Sequence, residues 1–218
     1  MHVCKFTLTL TVIAALLQVA NPAVAVPPTA AALDAEVASA MTATSTQGLA
    51  ITVIDRGRIV HVRSYGVRNA AGAPLETDSI MYGASLTKTV FATMVMQLVD
   101  DGIVDLDRPI GEYLKRPLPE YPTEEKYAPW ADLADDERWR RITPRILLTH
   151  SAGFANFAFL EPNGKLRIHF DPGSRYSYSG EGFILLQFVL ERGLGLDVGR
   201  EMQRRVFDRF GMQHTDMT

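Results

Sequence analysis

Ser85-Leu86-Thr87-Lys88 opens the strongest helical stretch of the 218-residue sequence. A serine and a lysine three residues apart on a helix lie on one face, one turn from each other. The lysine nitrogen then reaches the serine oxygen, and the helix N-terminus favours negative charge developing there. Serine alone is a poor nucleophile, so a nearby proton acceptor is what the chemistry requires. Lys88 also shares the apolar stripe of Phe91, Ala92 and Val95. An ammonium held against such a stripe is desolvated, which favours the neutral, proton-accepting amine. The pattern by itself is weak. Ser-x-x-Lys arises by chance roughly once in a few hundred residues, and a helix-capping serine with a lysine that snorkels to water explains it equally well.

Downstream, Asp171-Pro172-Gly173-Ser174-Arg175-Tyr176-Ser177-Tyr178-Ser179-Gly180 is a proline-glycine turn leading to a tyrosine just before a helix. With this stretch the sequence resembles the serine β-lactamase and penicillin-binding-protein superfamily, nearest its class C β-lactamase and esterase branch. Members carry Ser-x-x-Lys after a hairpin and Tyr-x-Asn much later, following a Pro-Gly turn. Three further stretches match in order. Asp101 to Asp107 resembles the acidic turn that closes the nucleophile helix, and Ile142 to Phe154 resembles the family's Leu-Leu-Thr-His-Thr-Ser-Gly segment. Val206 to Met212 resembles a helix ending in Gly-Met, and the likeness runs from about Leu33 to the C-terminus.

The resemblance implies a mixed α/β (α+β) fold, an antiparallel sheet flanked by helices plus a helical subdomain. It implies a serine hydrolase without cofactor or metal, acting on a small-molecule or peptide substrate. Ser85 attacks an ester, amide or β-lactam carbonyl and forms an acyl-enzyme that water hydrolyses. Lys88 and Tyr178 share the proton work, a tyrosine serving as base only if cations lower its pKa. The backbone N–H of Ser85 gives one oxyanion donor. Tyr176 is the rival for the tyrosine role; Tyr178 stands six residues after Pro172, the family's spacing, which leaves Tyr176 to packing. The reading from another class is a non-catalytic module that binds peptidoglycan-type peptides or a protein partner through the same cleft.

Two departures matter. Gly180 stands where the family usually has asparagine, so an amide that would bond the lysine and the substrate is absent. Either Ser179 or water substitutes, or preference has moved from β-lactams toward esters. Secondly, nothing from Glu181 to Thr218 matches the family's third motif, Lys/His-Thr/Ser-Gly; His214-Thr215-Asp216 follows the Gly-Met helix too closely and lacks the glycine. The expectation is an N-terminal part of a longer protein with the C-terminal strands missing. The hairpin would then keep an unpaired edge, and residues 26–218 alone would show little turnover and marginal stability.

The elements that must position these groups are legible from pattern. Ala30 to Thr44 predicts an amphipathic helix, with Leu33, Val37 and Met41 spaced by four. Leu49–Asp55 and Ile59–Tyr65 are β-branched runs flanking Arg56-Gly57-Arg58, an antiparallel hairpin. Leu86 to Asp101 predicts a helix with Gly102 as its stop. Residues 109–142 hold five prolines among many charges and read as a long irregular excursion. Within it, Asp132 to Arg141 reads as a solvated helix face. Thr143-Pro144 opens a short helix through Leu148. Gly182–Arg192 and a last helix capped by Asp197 and ending at Phe210 follow. Trp130, Trp139 and the aromatic residues at 154–159 and 170–178 are core or cleft lining.

The histidines show no His-x-His and no His-Glu-x-x-His, so a zinc hydrolase is improbable. His61 reads as a strand-face residue and His150 as fixing the loop after its helix. No nucleotide-binding glycine motif is present. At the N-terminus, one lysine, a 15-residue apolar run from Phe6 to Ala20, Asn21-Pro22 and Ala23-Val24-Ala25 predict a signal peptide cut after Ala25. That run falls short of the ~20 residues needed to span a bilayer, so residues 26–218 read as one periplasmic or secreted domain without stable membrane insertion. Cys4, the only cysteine, lies in the removed part. A net charge of −3 argues against nucleic acid or anionic lipid held by bulk charge.

Overall fold

The computed structural model describes residues 26–217. The expected signal segment, with Cys4, lies outside the described residues. The chain groups into two compact units, one ending at Ser79 and one running from Ile80. Among the described residues, no helix is long and apolar enough to cross a membrane.

In the first unit, α1 (Ala30–Thr44) starts at Thr29, whose side chain accepts from the Ala32 N–H at 3.2 Å. It stops at Ser45, whose left-handed φ of 56° lets its N–H return to Met41 O and Thr42 O. β1 (Gly48–Asp55) and β2 (Arg58–Gly66) pair antiparallel. Their link is tighter than the sequence suggested. Arg58 pairs with Asp55, so the turn is Arg56-Gly57, with φ of 49° and 74°. Two consecutive left-handed residues make the two-residue turn whose twist matches the strands. Along β1, Leu49, Ile51 and Val53 are half-buried while Ala50, Thr52 and Ile54 are exposed, the alternation of a sheet with one covered face. Asp34 on α1 accepts from Tyr65 Oη at 2.6 Å and pairs with Arg63, which ties the helix to β2.

The second unit is helical. A single 3₁₀ turn, Ala84–Leu86, precedes α2 (Thr87–Asp100). The helix expected from Leu86 therefore begins one residue later, and Ser85 sits on the tighter turn before it. Phe91, Met94, Val95 and Leu98 form its buried face. α3 (Pro144–Leu148) is as expected, with Thr143 Oγ1 accepting from the Ile146 N–H. α4 runs Gly180–Phe188, two residues earlier than the pattern implied. The reason is Ser179, whose Oγ accepts from the Gly182 N–H at 3.1 Å and caps the helix. Leu185, Leu186 and Phe188 are buried, so α4 is a core helix. It widens into a π-helical turn, Val189–Gly193. The last helix is also shorter than expected: α5 (Val198–Met202) passes into a second π-helical turn, Gln203–Phe207.

The excursion at 109–142 is not loosely ordered. It is a chain of 3₁₀ turns, Ile110–Glu112, Leu118–Glu120, Trp130–Leu133 and Glu137–Arg141. Proline at the entries of the first three fixes φ and removes donors, which suits short turns rather than an α-helix; Asp136 caps the fourth. Ile110, Leu118, Trp130, Leu133, Trp139 and Ile142 are each at most 2% exposed and belong to the main core. The segment expected to be a solvated helix face thus buries Trp139, and Trp130, just before it, is buried as well; neither lines a cleft. The sequence pattern missed this because 3₁₀ turns have no helical period long enough to read.

Candidate active site

The three side chains singled out in the sequence meet. Lys88 Nζ donates to Ser85 Oγ at 3.2 Å, and Tyr178 Oη donates to the same oxygen at 2.6 Å. Ser85 and Lys88 face each other because three residues of helical turn stack them. Tyr178 arrives from 93 positions along the chain.

Backbone strain sits beside the serine. Ala84 has a φ of 43°, a left-handed conformation uncommon for alanine and costing about 1–3 kcal/mol. That bend turns the chain into α2 with the Ser85 amide on the first turn, where N–H groups have no intrahelical acceptor.

Lys88 is half-buried, with Nζ 5.2 Å from the Tyr178 ring centroid and 5.7 Å from that of Phe183. Both rings present their faces to a cation. Tyr178 is 38% exposed. Its phenol is held below its ordinary pKa, first by the hydrogen bond with Ser85 and then by the neighbouring Lys88 cation. Both influences shift the phenol toward its deprotonated form.

The tyrosine segment is laid down by hydrogen bonds to the loop after α3. Gly173 N–H donates to Ser151 O, and Ser177 N–H to His150 O, each at 2.8 Å. His169 N–H donates to Gly153 O at 2.8 Å. Gly153 has a φ of 92°, and a Cβ there would come 2.7 Å from Phe170 O, so only glycine allows this approach. His150 does fix its loop, with a left-handed φ of 55°. Its Nδ1 stands 3.1 Å from both the N–H and the carbonyl oxygen of Ser179, accepting from the one in one tautomer and donating to the other when protonated there. The ring lies 4.4 Å from Tyr178 and 5.0 Å from Phe183. Tyr176 is not packed: it is 68% exposed and meets only the edge of His150 among these rings, at 5.9 Å.

His150 is held below its ordinary pKa of 6.5, mainly by burial and further by Lys88, against the pull of the Ser179 carbonyl. A folded-state pKa below the unfolded one means the unfolded chain binds more protons as pH falls through 6.5. This share of stability is present above that pH and lost below it. Comparing urea unfolding at neutral pH and at about pH 5, the His150→Asn variant is expected to lose less stability on acidification than the parent. Asparagine tolerates the left-handed backbone. Equal losses would remove His150 from the account.

An open groove follows the flank of α2, lined by Lys88, Thr89, Ala92, Met96, His150 and Phe183. Among the described residues, no group of three or more His, Cys, Asp or Glu side chains is placed to hold a metal ion. Phe157 is among the aromatic residues at 154–159 read as core or cleft lining, but its partnership with Gly180, and the parts of Asn156 and Glu181 beside it, no motif marks, because loop contacts bring 156–157 there.

The site is thus a serine hydroxyl on a helix-opening turn, met by an amine and a phenol, in a chain of mixed α/β fold. The Beta-lactamase family model matches residues 33–218, and the chain belongs to that family. Lovastatin esterase of Penicillium rubens is 29% identical, over 72% of this chain and 45% of its own length. Penicillin-binding protein 4 of Amycolatopsis lactamdurans is 26% identical, over 78% of this chain and 44% of its own length. The chain thus spans under half the length of these relatives. The octameric penicillin-binding protein homologue of Pyrococcus abyssi shares the fold, with a TM-score of 0.64 and 22% identity over 84% of this chain and 43% of that one. D-amino acid amidase from Ochrobactrum anthropi SV3 gives a TM-score of 0.61 at 22% identity, over 80% of this chain and 50% of that one.

Proposed function

We propose that the protein is a serine hydrolase that forms an acyl-enzyme on Ser85 from an ester, amide or β-lactam carbonyl. The observation that carries this is the convergence of Lys88 Nζ and Tyr178 Oη on Ser85 Oγ. Oγ attacks the carbonyl carbon and forms a C–O bond, while its proton passes to Tyr178 or Lys88. The same pair returns that proton to the departing group as its bond to the carbonyl carbon breaks. Water then attacks the acyl ester, giving up a proton to the pair, and releases a carboxylic acid and free Ser85. The Ser85 N–H supplies one donor to the oxyanion.

Family membership supports the acyl chemistry, and the likeness to a lovastatin esterase supports an ester as substrate. Export to a periplasm or exterior is part of the same reading and rests on the N-terminal sequence pattern alone. The test is labelling of the full-length gene product by a small alkyl fluorophosphonate, read by peptide mass spectrometry. An adduct on the peptide containing Ser85, absent in Ser85→Ala, is the expected result. A folded protein that binds a penicillin or ester reversibly and never modifies Ser85 would instead be a non-catalytic binding module.

A further inference from the structure

Beside Tyr178, the space that a side chain at position 180 would fill is taken by another residue. Ser179 is extended, with φ −144° and ψ 118°. In extended chain, side chains two residues apart project to the same side. A Cβ on residue 180 would therefore project on the side of Tyr178, whose hydroxyl meets Ser85. Ser179 points the other way, its Oγ donating to Ala155 O at 2.8 Å. That Cβ would lie 2.7 Å from Phe157 Cε1 and 3.0 Å from Phe157 Cζ. Carbon atoms in contact rest at about 3.5–4.0 Å, so a side chain at position 180 would have to displace the Phe157 ring, with Asn156 O a further 3.1 Å neighbour. The Gly180 backbone is not left-handed, so the requirement is one of space.

Phe157 is held in that space. Gly180 N–H donates to Asn156 Oδ1 and Glu181 N–H to Asn156 O, each at 2.8 Å. Ala158 N–H donates to the buried Glu181 carboxylate oxygen Oε2 at 2.8 Å. With the Ser179 bond, four hydrogen bonds fasten residues 155–158 to residues 179–181. The Phe157 ring also stacks on Phe159, with centroids 5.2 Å apart and planes 8° apart. The N–H groups of Gly180 and Glu181 are consumed within this wall, and the Phe157 ring fills the place of a side chain at position 180, on the side to which Tyr178 projects.

We infer that Phe157 is the specificity-determining residue of the site. Its ring selects carbonyl substrates whose acyl group is apolar and bulky, an aryl or branched alkyl group, over substrates whose acyl side carries an amide. This rests on Ser85 being the acyl acceptor. Alkyl and aryl boronic acids test it without turnover. The Ser85 oxygen adds to trigonal boron, its proton passes to the Lys88–Tyr178 pair, and the organic group on boron takes the acyl group's place.

With the full-length gene product and calorimetry, 2-phenylethylboronic acid is expected to bind about tenfold or more tighter than methylboronic acid, the scale set by apolar pocket contacts. Phe157→Ala is expected to erase most of that ratio while methylboronic acid keeps its affinity. Phe157→Ala combined with Gly180→Asn is expected to gain affinity for acetamidomethylboronic acid, which presents an amide. If Phe157→Ala does not fold, Phe157→Leu reads the same ratio and is expected to fall between. A ratio unmoved in a folded Phe157 variant overturns the inference and leaves Ser85 as acyl acceptor intact. If neither boronate binds and the fluorophosphonate leaves Ser85 unmodified, the acyl-acceptor reading fails first and takes this inference with it.

Discussion

Tyr178→Phe is expected to slow acylation of Ser85 by about 10²–10⁴-fold, the range for removing one positioned proton-transfer group. The variant keeps the ring against His150 and Lys88 and deletes only the oxygen that lies 2.6 Å from Ser85 Oγ. Packing is preserved, so a fall in rate reports proton transfer. The pH profile carries the sharper signature. Tyr178 accepts a proton only when deprotonated, and its pKa is held below 10.0, by the Ser85 hydrogen bond first and by Lys88 next. Second-order labelling rates should therefore rise with pH and level off below the ordinary tyrosine value. In Tyr178→Phe that rise should vanish. In Lys88→Met the cation is gone and the phenol loses one of the influences holding its pKa down. The rise should then move to higher pH and the plateau fall. A Tyr178→Phe rate within threefold of the parent would assign the proton to Lys88 alone.

The second large effect concerns the support beneath the site. Phe188 closes α4 with no exposed surface, its ring packed against Tyr121, Tyr127 and Trp130 at 5.0, 4.9 and 5.5 Å. Phe188→Ala removes a buried ring from a close-packed cluster and leaves a cavity. Such truncations cost about 3–5 kcal/mol, a large share of the 5–15 kcal/mol that holds a domain together. Urea unfolding followed by tryptophan fluorescence is suited to this, because Trp130 is itself a partner of the lost ring. A loss below about 1 kcal/mol would show that the cluster collapses onto the gap at little cost. Phe188→Leu should recover much of the stability, since shape rather than polarity is at stake.

How far the residues announce this arrangement differs from element to element. The Ser85–Lys88 pair was legible because helix geometry fixes a three-residue spacing, and Tyr178 through the family resemblance, whose tyrosine stands six residues after the proline of a Pro-Gly turn. The hairpin and α3 were legible through β-branched runs and a Thr-Pro start. The proline-rich stretch was not: Trp130 and Trp139 are surrounded by charges in sequence, and 3₁₀ turns bury them one at a time without a period. Gly180 was visible as a departure, but its cause was not. The ring that fills its space belongs to a loop 23 positions earlier, and hydrogen bonds from backbone amides put it there. Local pattern carries local geometry; a contact made by a loop leaves no trace in spacing.

Phe183, one turn into α4, packs toward α2, the helix that carries Lys88. Its ring meets Phe91 of α2 at 5.9 Å, His150 at 5.0 Å and the Lys88 ammonium at 5.7 Å. It works as a shim. One side chain, hydrogen-bonded to none of the reacting groups, fills the space among α2, His150 and the reacting lysine. Evolution can thus retune the tempo of the chemistry by trading a residue that no list of reacting groups would contain.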